Sequence, residues 1–301
     1  MRELELDIRS FEEAQRYIDQ SEWEFRRDLN GALETIFTGG QVPKVIALSG
    51  PTCSGKTTTA SRLVERITEA GGNAVVMSID EFFHDRDDRN VVEGESPDYD
   101  SVNAIDLDYF SYFMKRLMAG KSVLVPKFDF TAASRVGYEE YIPGSRDIYV
   151  FEGIQAVYPE VTELFEGVSR TIFSCVPADV RYGDTLLTKH DIRLLRRLVR
   201  DFKYRGATAE FTLHLWVGVR DNEEKNIFPN AQHCDVYIDS FLEYEPFLIA
   251  RHALPILETV PADSRYCAQA EELIGKLRAF DCPYFEDRMI PDNSVFHEFI
   301  G

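Results

Sequence analysis

The stretch that most restricts how this chain can fold is Gly50-Pro51-Thr52-Cys53-Ser54-Gly55-Lys56-Thr57, which fits G-x-x-x-x-G-K-[ST] at every fixed position. Such a loop turns consecutive backbone N–H groups toward phosphate, and its glycines let the main chain approach where a Cβ would obstruct. In this reading Lys56 reaches the outer phosphates of a nucleotide, the Thr57 hydroxyl holds Mg²⁺, and the loop through Thr58 cradles the remainder. The pattern has meaning only between a buried strand and a helix. Both surround it here. Val45-Ile46-Ala47-Leu48-Ser49 is a short apolar run suited to a central parallel strand, and Ala60, Leu63, Val64 and Ile67 recur at helical spacing before Gly71-Gly72. That helix would aim its positive end at the phosphates.

Further apolar runs extend the sheet. Residues 74–79 read as a strand that ends in Asp80-Glu81-Phe82-Phe83, and residues 147–153 as one that carries Glu152 at its end. Residues 170–176 and 234–238 supply two more, and residues 122–130 and 136–142 form a ribbon. In open parallel sheets ligands sit beyond the carboxyl ends of the strands, so Asp80 and Glu152 stand where chemistry would occur. An Asp at a strand end also serves as a turn residue or helix cap, and Asp80 suits proton abstraction or a magnesium contact equally well. Glu152 has the form of the acidic residue that acts on Mg²⁺ opposite a phosphate loop. The expected architecture is a three-layer α/β fold with a mainly parallel sheet, a β-ribbon and a helical lid.

Composition narrows the function. A formal charge of −19 opposes binding to nucleic acid or to an anionic membrane surface, and no run approaches 18 apolar residues, which predicts a cytoplasmic protein. Cys53, Cys175, Cys234, Cys267 and Cys282 contain no C-x-x-C pair, so neither a disulfide framework nor a zinc site is expected. A chain this acidic must gather positive charge locally to hold nucleoside triphosphate. Arg193, Arg196, Arg197 and Arg200 fall on one helix face, followed by Lys203 and Arg205. They predict a lid over about residues 185–230 that closes on ATP and supplies arginine to the transferring phosphoryl group. Residues 1–42 read as one or two amphipathic helices with Phe11, Ala14 and Ile18 on one face, ending at Gly39-Gly40; packing on the domain or on another subunit leaves a homo-oligomer open. The long acidic loop from His84 to Asp108, with Asp85, Asp87, Asp88, Glu93, Glu95, Asp98 and Asp100, would repel a phosphorylated acceptor.

Taken together, residues 50–57, Ser78-Ile79-Asp80-Glu81-Phe82-Phe83, Tyr99-Asp100, Pro126-Lys127-Phe128-Asp129-Phe130, Phe151-Glu152-Gly153-Ile154, Arg200-Asp201 and Arg205-Gly206 resemble the uridine kinase and phosphoribulokinase group of phosphate-loop kinases. Residues 205–210, 223–229, 290–294 and Glu298-Phe299-Ile300-Gly301 are similar to bacterial uridine-kinase-like nucleoside kinases, some of which carry a TGS-type N-terminal domain not expected in residues 1–42. The resemblance covers residues 43–301, as a kinase domain behind a helical extension. It implies an ATP- and Mg²⁺-dependent transfer of the γ-phosphate to a hydroxyl of a small molecule, with Asp80 as base and Glu152 as magnesium carboxylate. Asp100 would hold sugar hydroxyls, Arg197 would reach the substrate, and Arg200 and Arg205 the phosphates; apart from the resemblance, Phe83, Phe128 and Phe130 could line an apolar pocket for a ring, and Arg135 is a further candidate for substrate contact. The group reads a pyrimidine with a tyrosine and a histidine where this chain has Phe128 and Ala133. A nucleoside acceptor is the leading reading, a sugar or pantothenate-like metabolite the next. A GTP-driven switch, with Thr188-Lys189-His190-Asp191 as guanine reader, would need a D-x-x-G after the phosphate loop, where this sequence has none and Glu152-Gly153 occupies the relevant strand end.

Overall fold

The computed structural model describes residues 1–38, 42–85, 99–130 and 132–301. Gly39-Gly40 and the acidic positions Asp87, Asp88, Glu93, Glu95 and Asp98 lie outside the described residues. In chain order the strands are β1 (Arg2–Glu3), β2 (Val45–Ser49), β3 (Asn73–Ser78), β4 (Val123–Asp129), β5 (Ser134–Tyr141), β6 (Asp147–Glu152), β7 (Ser169–Cys175), β8 (Val180–Tyr182), β9 (Thr185–Leu187) and β10 (Val236–Asp239). The helices are α1 (Phe11–Phe37), α2 (Lys56–Glu69), α3 (Leu107–Met118), α4 (Pro159–Thr162), α5 (Lys189–Arg205), α6 (Ala209–Asn222), α7 (Phe228–Ala231), α8 (Glu245–Leu257), α9 (Cys267–Leu277) and α10 (His297–Ile300).

A five-stranded parallel sheet runs in the order β10-β7-β2-β6-β3, with β2 at its centre. All five residues of β2 are buried. Alternation sends Ile46 and Leu48 into one apolar layer and Val45 and Ala47 into the other; in β6, Ile148 and Val150 divide from Tyr149 and Phe151 in the same way. Helices cover both faces, which makes this a three-layer α/β phosphate-loop fold. The ribbon is the antiparallel pair β4–β5, with a bulge between Lys127 and Phe128.

The first 38 residues form one long helix behind a short strand. β1 pairs in parallel with β8, and α1 buries Ala14, Ile18, Phe25, Leu29, Ala32 and Ile36 in the larger core. Four large side chains among them contribute on the order of 10 kcal/mol of transfer free energy, as an upper estimate. Phe11, expected on that face, is instead 47% exposed at the first helical position, edge-on to Tyr284. Tyr244 donates its hydroxyl to Glu22, fastening α1 beside α8.

Candidate active site

The loop between β2 and α2 is shaped by close approaches that glycine alone allows. A Cβ on Gly50 would lie 2.1 Å from the Ser174 carbonyl oxygen of β7. At Gly55 the backbone has φ of +78°, and a Cβ would also lie 2.5 Å from Val295. Arginines from α5 hold the loop by its carbonyls: Arg193 Nε donates to Thr52 O at 3.0 Å and Arg196 Nη1 to Cys53 O at 3.1 Å. Because a trans peptide sets C=O and the next N–H on opposite sides, fixing these oxygens toward α5 turns the Cys53 and Ser54 N–H groups the other way. Pro51, Thr52, Cys53 and Ser54 thus form a braced arch. Lys56 Nζ rests on Pro51 O at 3.0 Å, and Thr57 is exposed.

Two carboxylates stand beyond the strand ends beside this arch. Glu152 closes β6 opposite Ser78 of β3, and Asp80 follows on the turn Ile79–Phe82. Burial, then the nearby Glu152 charge, pushes Asp80 up to about 7, although Lys56 pulls the other way. Glu152 is also raised, by burial first, with partial relief from Lys56 and the Ser78 hydroxyl. All available donors are oxygens, two of them on carboxylates that resist ionising together. That set fits a Mg²⁺ held jointly with phosphate oxygens and water. Among the described residues no cluster of three or more acidic, His or Cys side chains forms a protein-only cage.

Next to Asp80 lies an aromatic wall. Phe83 stacks on Tyr99 at 5.3 Å, and Phe128 meets Phe83 and Phe130 edge-on at 5.7 and 5.3 Å. Phe83 is buried and Phe130 exposed, so the wall opens outward. Asp100 is carried to it by the segment after β6: Gln155 Nε2 donates to Tyr99 O at 2.6 Å and the Tyr158 hydroxyl to Asp100 O at 3.1 Å. Asp100 is close enough for its charge to add to the upward shift of Asp80.

Residues 45–244 match the model of the Phosphoribulokinase / Uridine kinase family. The chain belongs to this family. It is a phosphotransferase acting on a hydroxyl group. A uridine kinase of Deinococcus deserti is 31% identical over 214 residues, covering 70% of this chain and 94% of that protein. Uridine-cytidine kinase A of Dictyostelium discoideum is 28% identical over 223 residues, 69% of this chain but 40% of that longer protein. Among solved structures, a D-glycerate 3-kinase from Cryptococcus neoformans aligns over 71% of this chain and 89% of that one, at 14% identity and a TM-score of 0.42.

Two expectations about the kinase's cations need correction. Arg135, expected at the acceptor, donates to Phe83 O, Phe82 O and Asp106, each at 3.0 Å, with its guanidinium over Tyr109. It ties the ribbon to the turn after β3 and so supports the aromatic wall from behind. The four arginines of α5 are not one ligand-facing stripe. Arg193 pairs with Glu223, and Arg196 gives Nε and Nη2 to Glu245 at 2.5 and 2.6 Å, all four side chains fully or nearly buried. These two brace the arch; Arg197, Arg200 and Arg205 share the single carboxylate of Asp201 at 3.2, 2.7 and 3.6 Å. Three guanidiniums over one carboxylate leave a positive surplus on this part of α5. The offered guanine reader is also accounted for, because Thr188 and Asp191 close a capping box at the start of α5. Glu298, part of a motif of the resemblance but given no site role there, accepts from Thr58 N and Oγ1 at 3.1 and 3.0 Å. No local pattern points to Thr58 as its partner, since the two lie 240 residues apart.

Proposed function

We propose that this chain is an ATP- and Mg²⁺-dependent kinase that phosphorylates a hydroxyl of a small unphosphorylated acceptor, a nucleoside of the uridine or cytidine type. The observation that carries the reading is the convergence of the Lys56 loop with Asp80 and Glu152 at the strand ends. In the proposed step Asp80 takes the acceptor hydroxyl's proton as its oxygen bonds to the γ-phosphorus. The bond to the bridging oxygen breaks, and its electron pair leaves with ADP. Magnesium, when bound, neutralises phosphate charge next to Thr57 and Glu152. Lys56 stabilises charge on the transferring group, Asp100 accepts from acceptor hydroxyls, and Phe83 and Phe128 pack against its ring. Residues 43–301 constitute the kinase unit in this reading, with residues 1–42 as an extension and about 185–230 as a lid whose Arg200 and Arg205 close on the phosphates.

The similarity to uridine kinases supports the nucleoside class. A second reading, a sugar or pantothenate-like acceptor, is favoured by Ala133, buried at a φ of +50°, where a polar base reader would be expected. ATP consumption against nucleosides, free sugars and hydroxylated acids decides between them. Turnover of uridine or cytidine supports the first reading and selective turnover of another alcohol the second; preference for GTP with no acceptor dependence would refute both.

A further inference from the structure

Glu298 occupies a place that a nucleotide needs. α2 begins at Lys56, after Gly55, which has no side chain to cap the helix, so the N–H groups of its first turn have no intrahelical partner. Those are the groups a phosphate loop offers to its ligand. At Thr58, in that first turn, both the N–H and the hydroxyl are already donated to the carboxylate of Glu298, 3.1 and 3.0 Å away.

The segment that brings this carboxylate is firmly placed. Phe296 and Phe299 are 0% exposed, the Arg196 guanidinium lies 4.6 Å over the Phe299 ring, and Lys203 donates to Ile300 O at 2.7 Å. Val295 packs against Gly55 itself. Withdrawing α10 would expose several buried side chains, whereas rotating the partly exposed Glu298 side chain exposes almost nothing. An anion arriving at Thr58 therefore has one small thing to move.

We propose that Glu298 is an internal anionic competitor for the nucleotide's phosphate: its carboxylate caps α2 in the ligand-free kinase and must swing away before Thr58 can donate to ATP. This rests on reading the loop at residues 50–57 as a nucleotide site. The contact sets nucleotide affinity below what the loop alone would give and holds the helix start in order until ligand comes. A carboxylate acting only as a helix cap makes the opposite prediction, since its loss would loosen the first turn and weaken binding.

The sign of the affinity change is the test. Dissociation constants for ATP and for pyrophosphate are measured by titration calorimetry on the full chain, as wild type, Glu298→Gln and Glu298→Asp, with melting curves for each. Gln keeps the shape without the charge, and Asp keeps the charge but retracts it. We expect both ligands to bind Glu298→Gln about tenfold more tightly, with a smaller gain for Glu298→Asp, while melting temperature stays level or falls slightly. Equal or weaker binding by well-folded variants, with the wild type binding normally, overturns the competitor and leaves the kinase reading standing. Absence of ATP and pyrophosphate binding in all three proteins would overturn both. If Glu298→Gln does not fold, Glu298→Asp decides alone: tighter binding supports the competitor, and anything else rejects it.

Discussion

The two flanks of the phosphate loop solve their electrostatics in opposite ways. On the α5 side the buried charges are paired within the chain, Arg193 with Glu223 and Arg196 with Glu245, while three guanidiniums share Asp201. On the β3–β6 side Asp80 and Glu152 crowd together with Lys56 as relief, and both hold their protons more tightly than ordinary carboxylates. The two buried pairs of the first flank brace the loop. The second flank keeps a cost that Lys56 relieves only in part, and bound magnesium or a proton taken from an acceptor would lower it further. A difference of this kind predicts that substitutions on one side should damage stability and on the other side turnover.

The strongest test of that division is Asp80→Asn. Turnover should fall by roughly 10²–10⁴ with ATP affinity little changed if Asp80 is the base, as single-turnover kinetics and nucleotide titration would show; a large loss of Mg·ATP binding would move it to the metal shell. The same variant should melt higher at pH 8. Asp80 is held near 7 against its usual 3.8, so its contribution is present at low pH and lost as pH rises through about 7, where the charged form becomes a cost that Asn does not carry. A melting temperature that drops at pH 8 would contradict the stored cost.

Lys56→Ala should lower turnover by more than about 10²-fold while leaving the fold intact, since Lys56 donates to Pro51 O and supports no core packing. Arg196→Ala should do the reverse. Leaving Glu245 buried and unpaired costs about 3–5 kcal/mol, visible as a lower urea midpoint; a fully stable Arg196→Ala protein would erase the contrast between the flanks. Wild-type kcat/KM should decline by up to about tenfold per pH unit below 7, as Asp80 becomes protonated in the free enzyme. A flat profile from pH 5 to 8 would count against Asp80 as base.

The smallest effect concerns the acceptor. With Phe128 and Ala133 in the ribbon, uridine and cytidine should differ by much less than 10³-fold in kcat/KM if either is used. Discrimination beyond that would reveal a polar reader elsewhere on the acceptor flank.

What the sequence displayed and what it hid follow the same division. The loop, β2 and α2 were legible because the motif is local and because a strand buried on both faces is written as an apolar run. The carboxylates at the ends of β3 and β6 were legible for a related reason, since strand ends in a parallel sheet converge on the site. On α5, helical spacing placed four arginines on one face correctly but could not tell brace from ligand contact. That distinction depends on Glu223 and Glu245, 30 and 49 residues away from their partners. Arg135 misled in the same manner, its acceptors being backbone carbonyls 52 and 53 residues earlier.

The central position of β2 has a consequence for how the chain is made. Its partners on either side, β6 and β7, lie more than a hundred residues further along. A ribosome adding about 5–20 residues per second would therefore leave this apolar strand without its neighbours for on the order of 5–20 s. During that interval the loop has no sheet beneath it, and a sticky, β-prone segment is open to pairing with other chains. Expression at lower temperature or with holding chaperones should raise the soluble yield more for this kinase than for a protein whose strands pair with near neighbours.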